Sequence, residues 1–138
     1  MPITLPQSIR TLLQNSAYGH VVTLNAKGRP RLTMVWMDVE GDEVVFNTAE
    51  GRKKVQDLRR DPRVTVSVQN LETPQSYAVF YGTARTITEE GARVHIDKLA
   101  KRFLGVDTYP GPPNETRLIV RISVDRISGV APGWKSWT

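Results

Sequence analysis

Residues 18–47 read YGHVVTLNAKGRPRLTMVWMDVEGDEVVFN, and the punctuation of this stretch decides the fold class. Residues 18–24 are rich in β-formers, residues 25–30 carry turn chemistry, and residues 32–39 form a second β-rich run. Glu40-Gly41-Asp42 then turns the chain into a third run, 43–47, so the stretch predicts a three-strand meander. Upstream, Ile9, Leu12 and Leu13 stand at helical spacing behind Pro6, which predicts a short amphipathic helix lying as a lid on the core. Downstream, residues 63–69 alternate Val64, Val66 and Val68 with polar residues, the period of a half-buried strand, and residues 77–87 are its expected partner. Residues 89–104 predict a helix with Val94, Leu99 and Phe103 among its buried positions, followed by a Gly/Pro loop through Pro113. Residues 116–130 predict a long strand with Leu118, Val120, Ile122 and Val124 on one face. Six strands joined mostly by hairpins, with two or three short helices, predict a mainly β (α+β) protein. The expected architecture is an antiparallel barrel or curled sheet rather than a doubly wound fold.

The chain has 138 residues, the length of one domain spanning 1–138. Cysteine is absent, which excludes thiolate chemistry, iron–sulfur ligation and disulfide frameworks, and fits a reducing cytoplasm. His20 and His95 are the only imidazoles, and neither belongs to a spaced ligand motif, so no metal site is expected. No basic region followed by a long apolar stretch opens the sequence, and no run reaches the ~20 apolar residues of a membrane span. A soluble, cytoplasmic protein without a membrane partner is the expectation.

Charge is concentrated in one place. Residues 52–63 carry six basic side chains against two acidic ones, and so supply +4 of the formal +5. Gly51 precedes a helix whose apolar edge is Val55 and Leu58 and which Asp61-Pro62 ends, because a residue before proline is pushed out of helical geometry. Its first turn, with Arg52, Lys53 and Lys54, joins free backbone N–H groups to side-chain cations and makes a phosphate cradle. Asn47 and Thr48, just before it, add neutral hydrogen-bonding groups, and Glu50 is expected to offset part of the charge. The competing reading is a solvated helix face in which Arg59, Arg60 and Arg63 pair with Asp57 and Asp61. Nucleic-acid binding is disfavoured, because no helix-turn-helix, zinc module or aromatic-studded strand accompanies the basic residues.

The run Asn47-Thr48-Ala49-Glu50-Gly51-Arg52-Lys53-Lys54, the block from Asp57 to Val64 through Asp61-Pro62-Arg63, and Tyr77 with Gly82-Thr83-Ala84 resemble the flavin/deazaflavin oxidoreductases. These form the pyridoxamine 5'-phosphate oxidase-like, FMN-binding split β-barrel superfamily, and the likeness is to its branch that uses coenzyme F420. Residues 95–102, the Tyr109-Pro110 loop and the closing strand 117–127 extend the likeness over nearly the whole chain. The resemblance implies a six-stranded antiparallel split β-barrel with short flanking helices. It also implies a homodimer with two cofactor sites between subunits.

By that resemblance, the cofactor phosphate sits on Arg52 and Lys54, with Lys53 and Thr48 near it, and the ring lies along Thr33, Met34, Val35 and Trp36. Tyr77 and Trp134 approach from the other subunit. The cofactor is F420, with FMN as the alternative, and the chemistry is hydride transfer to or from a small organic molecule. An FMN-binding redox protein and a non-enzymatic cofactor carrier are the other outcomes. Vitamin B6 oxidation is disfavoured, because the chain stops soon after Gly133-Trp134-Lys135-Ser136-Trp137, without basic residues for a pyridoxal phosphate substrate.

No catalytic side chain can be named from the residues. Paired carboxylates, a Ser-His-Asp order and a Gly-x-Ser-x-Gly elbow are all missing, which suits a reaction whose hydride rides on a cofactor. The proton source is left open between water, Tyr77 and another hydroxyl. His95 reads as a surface residue or one satisfied by its neighbours.

Overall fold

The computed structural model describes residues 2–138. Six strands close into a barrel in the order β1-β2-β3-β6-β5-β4, every neighbouring pair antiparallel. The strands are β1 Tyr18–Leu24, β2 Pro30–Glu40, β3 Glu43–Ala49, β4 Arg63–Gln69, β5 Tyr77–Thr88 and β6 Arg117–Val130. Three helices decorate them: α1 Gln7–Gln14, α2 Lys53–Arg60 and α3 Ala92–Leu104. The predicted meander is β1-β2-β3, and residues 63–69 pair with the strand opened by Tyr77, as their alternation required.

The barrel interior is filled by inward-facing residues such as Val21, Met37, Phe46, Val66, Phe80 and Ile122, all fully buried. Each contributes about 1.5–3 kcal/mol relative to an exposed position. Helix α1 caps this interior with Ile9 and Leu13. Helix α2 follows a turn in which Gly51 takes φ 92°, a left-handed conformation open to glycine at little cost. It buries Val55 and Leu58, as its sequence predicts, and also the carboxylate of Asp57.

Two local expectations change. The third helix begins at Ala92 rather than 89, because Gly91 stands at its N-cap with φ 75° and breaks the preceding residues away from helical geometry. Val94, expected in the core, is 75 % exposed, while His95 and Ile96 are buried in its place. At roughly 3.6 residues per turn Val94 stands about 140° from Leu99, so it falls outside the inward face made by Ala92, His95, Ile96, Leu99 and Ala100. Among the described residues no helix is long and apolar enough to cross a membrane.

Candidate functional site

Strand β2 pairs with β3 only over Met37–Glu40, against Phe46–Glu43. Before Met37, β2 keeps β1 alone as its partner, while β3 continues along β6 as far as Ala49. The two strands are therefore unpaired with each other where Met34, Val35 and Trp36 face Asn47, Thr48 and Ala49, and these six residues wall a crevice of about 170 Å³. Backbone polarity in the opening follows from strand alternation. Met37 N–H donates to Ala17 on the β1 side, so the backbone groups of Met34 and Trp36 face the opposite, unpaired side.

An aromatic cluster stiffens one wall. The Trp36 ring stacks on Phe103 of α3, with centroids 5.0 Å apart and planes 6° apart. Tyr109 meets Trp36 edge-on at 6.1 Å, and Tyr18 meets Phe103 edge-on at 5.2 Å. Tyr109 is brought there by the Gly/Pro loop after α3, where its backbone N–H donates to Asp97 Oδ1 at 2.8 Å.

The other end of the crevice is cationic. Arg52 and Lys54, at the start of α2, and Arg117, at the start of β6, line it together. Glu115 accepts from Arg52 Nη2 at 2.7 Å and from Arg117 Nη1 at 3.0 Å. Burial pushes the Glu115 carboxyl up, but these two guanidinium groups outweigh it and hold the acid below its usual range. Lys54 has no such partner among the described residues. Its pKa is lowered, first by burial and then by the neighbouring charges of Arg52 and Arg117. Three cations with one carboxylate, bound by two of them, leave an excess of positive charge in a partly desolvated space, which is an anion site by electrostatics alone.

The expected site residues distribute as follows. Met34, Val35, Trp36, Asn47, Thr48, Arg52 and Lys54 come together in the crevice. Lys53, one helical step from Lys54, points into a separate basic crevice with Lys27, Arg29, Arg31 and Arg60. Thr33 lies outside the lining, and its buried Oγ1 has no hydrogen-bond partner among the described residues. Tyr77 opens β5, and Trp134 sits in the C-terminal turn at φ 62°; neither lines the crevice of its own chain. Trp137 docks on the barrel, donating from Nε1 to the Tyr77 carbonyl at 2.8 Å.

Glu50 does not offset the first turn of α2. It binds Arg59 of the last turn at 2.6 and 2.9 Å, while Arg60 pairs with Asp57 and Arg63 with Asp61. Sequence reasoning also passed over Tyr109, Glu115, Arg117, Ile96 and Leu99. Of these only Tyr109 carried a signal, the Tyr-Pro pair within a Gly/Pro-rich loop.

The family model for pyridoxamine 5'-phosphate oxidase matches residues 5–131. The chain belongs to the pyridoxamine 5'-phosphate oxidase family. Among solved structures, an F420 reductase is 25 % identical with TM-score 0.77, over 86 % of this chain and 94 % of that one. The conserved hypothetical protein Rv2991 from Mycobacterium tuberculosis is 26 % identical with TM-score 0.71, over 93 % and 85 %. General Stress Protein 26 from Bacillus anthracis shares the fold at 21 % identity and TM-score 0.67, over 94 % and 96 %. These matches agree with the split-barrel resemblance drawn from the residues. The family's oxidoreductase fold is thus the frame in which this crevice is built.

Proposed function

We propose that this protein is an F420-dependent oxidoreductase that moves hydride between the deazaflavin and a small organic molecule, with reduction of that molecule as the favoured direction. One observation carries the reading: a single crevice joins an anion-seeking end to an unpaired strand edge beside a flat aromatic wall. Lys54 and Arg52 are suited to a phosphate, with the buried Thr48 beside them. The outward backbone groups of Met34 and Trp36 are suited to the polar edge of a flat heterocycle. The reduced ring supplies the hydride when bound, so this chain's residues need only grip the phosphate, align the ring and exclude water.

A homodimer completes the proposed site. A crevice of about 170 Å³ is smaller than the ~300–1,000 Å³ of ordinary ligand sites, so a second wall is needed. Next to it, the outer face of β2 exposes Leu32 at 63 % and Met34 at 54 %, with Tyr18 and Tyr77 also exposed on the barrel surface. A second copy of the chain covers this face in the proposed assembly, and brings its own Tyr77 and Trp134 towards the crevice.

FMN in place of F420 is the second reading, favoured by the match to the oxidase family model. Parallel titrations of one sample with F420 and FMN separate the two. F420 binding with Lys54→Ala weaker by about 10-fold or more is expected, the loss of one charge-assisted contact. Equal affinity in the variant refutes the phosphate assignment. Protein that purifies yellow and releases FMN on denaturation replaces F420 with FMN.

A further inference from the structure

Arg117 is the most buried cation of the crevice, and a polar chain holds it from behind. Its Nε–H donates to Asn47 Oδ1 at 2.9 Å. Asn47 Nδ2 donates to the Ala92 carbonyl at 2.9 Å and lies 3.0 Å from His95 Nδ1. His95 Nε2 lies 2.9 Å from Asp38 Oδ2. Asp38 also accepts from Arg102 Nη1 at 3.1 Å and Lys98 Nζ at 3.5 Å. Asp38, Asn47, His95 and Arg117 are all buried.

The direction of every bond in this chain is forced. Arginine only donates and a backbone carbonyl only accepts, so Asn47 must turn its oxygen to Arg117 and its NH₂ to Ala92. The second amide hydrogen then meets His95 Nδ1, which must be the acceptor. The imidazole proton therefore sits on Nε2 and is donated to Asp38. A proton added at Nδ1 sets two donors face to face. Turning the amide over to relieve them sets its NH₂ against Arg117 Nε–H and its oxygen against the Ala92 carbonyl.

We infer that Arg117 is a further anion-binding side chain of the crevice and that Asn47, His95 and Asp38 form the chain that positions it. The inference rests on the reading that the crevice holds the cofactor phosphate. Arg117 commits Nε to Asn47 and Nη1 to Glu115, while Nη2 has no hydrogen-bond partner among the described residues. The guanidinium lies over the Tyr109 ring, 4.9 Å from its centroid, which leaves its in-plane donors to a ligand oxygen. Its charge is felt at Lys54 across the same space. A phosphate oxygen satisfies the unused donor and offsets the repulsion together.

The charged groups facing His95 are Asp38 of β2, backed by Lys98 and Arg102 of α3, and, through Asn47 of β3, Arg117 of β6 with Glu115 beyond it. The hydrogen-bond route from His95 to Arg117 runs through Asn47, and that route gives the test its specificity.

The test titrates F420 into native protein, His95→Gln, His95→Leu and Arg117→Lys at neutral pH. Glutamine keeps an acceptor for Asn47 and a donor for Asp38. His95→Gln should bind nearly as tightly as native protein, because it preserves the hydrogen-bond pattern around Asn47 and Asp38. His95→Leu and Arg117→Lys should bind roughly 10-fold or more weakly, as expected for losing an aligned charge-assisted bond. His95→Leu or Arg117→Lys binding as tightly as native overturns the proposal. Nitrogen NMR of the unliganded native protein should show the Nε2–H tautomer of His95 and a slowly exchanging Arg117 Nε–H. An Nδ1–H tautomer overturns the positioning chain without reference to any cofactor. Failure of native protein to bind either F420 or FMN overturns the functional reading instead, and the NMR result then still decides the chain.

Discussion

Arg31 Nε donates to Asp57 Oδ2 at 2.7 Å, and this ion pair ties β2 to the buried side of α2. Asp57 also accepts from Thr23 Oγ1 at 2.8 Å and from Arg60 Nη2 at 3.3 Å, so one carboxylate joins β1, β2 and the helix that carries Arg52 and Lys54 at its head. Asp57→Ala leaves a buried hydroxyl and a half-buried guanidinium without their acceptor. The expected cost is about 3 kcal/mol, the low end for breaking a buried pair, because both arginines stay partly solvated. A lower urea midpoint with an unchanged m-value checks it. Asp57→Asn keeps an acceptor for Thr23 and should lose less.

Two buried carboxylates contribute to the acid limit of stability. Burial raises Asp57, but Arg31, Thr23 and Arg60 outweigh it, and the acid lies below its usual 3.8. Burial likewise raises Asp38, and the His95 bond, the Val39 amide and the charges of Arg102 and Lys98 together push it well below that value. With folded pKa values below the unfolded ones, the unfolded chain binds more protons as pH falls. The stabilisation is present above the unfolded value near 3.8 and is lost as pH drops through the folded values. Acid unfolding should therefore steepen below about pH 4, and Asp57→Asn should flatten that limb in a chemical-denaturation series.

Lys54 titrates with the opposite consequence. Its folded pKa lies below the usual 10.5, so its charged form costs stability at every pH below that folded value, and the cost fades as pH rises towards 10.5. An anion in the crevice removes the cost by returning the Lys54 pKa upward. Added inorganic phosphate at neutral pH should raise the melting temperature of native protein more than that of Lys54→Met, and the Lys54 Nζ titration followed by NMR should move to higher pH. Equal stabilisation of both proteins places the anion elsewhere.

What could be read from the residues depended on whether the signal was local. Val64, Val66 and Val68 declare a strand because the alternation lies in consecutive residues, and Asp61-Pro62 declares a helix end for the same reason. Val94 is a local signal misread: five positions from Leu99, it lies about 140° round the helix and faces solvent wherever α3 starts. At the site, Arg52 and Lys54 were legible as a cationic helix head, but the rotation that sends Lys53 to another crevice needs the helix axis. Glu115 and Arg117 lie far from Arg52 in sequence and meet it only because β6 pairs with β3. Pairings between distant residues leave no local trace.

Gly82 is a structural demand that can be tested in the same way. It lies at a register shift between β5 and β6, where a Cβ would collide with the Ser123 carbonyl oxygen, a backbone atom that cannot swing aside. Gly82→Ala should destabilise by about 1–3 kcal/mol, as overpacking does. Gly28→Ala meets no neighbour, but bears strain from φ 76° in an exposed turn, and serves as the comparison. If Gly82→Ala proves no worse than Gly28→Ala in thermal unfolding, the close approach of β5 and β6 is not as tight as described.

Trp36 separates the ring end of the crevice from its phosphate end. Its indole stacks on Phe103 and meets Tyr109 edge-on, whereas the cations belong to α2 and β6. Trp36→Leu keeps an apolar side chain on β2 but removes the flat surface and frees two rings to repack. An aromatic contact is worth about 0.5–1.5 kcal/mol, so F420 should bind roughly 3- to 10-fold more weakly. Stabilisation by inorganic phosphate should persist, because Arg52 and Lys54 are placed by α2 and do not touch the indole. The double variant Trp36→Leu with Lys54→Ala should then lose F420 affinity close to the product of the two single losses, as independent contacts do. Strong non-additivity would instead mean that the two ends move together, with α3 carrying the disturbance from Phe103 through His95 to Arg117.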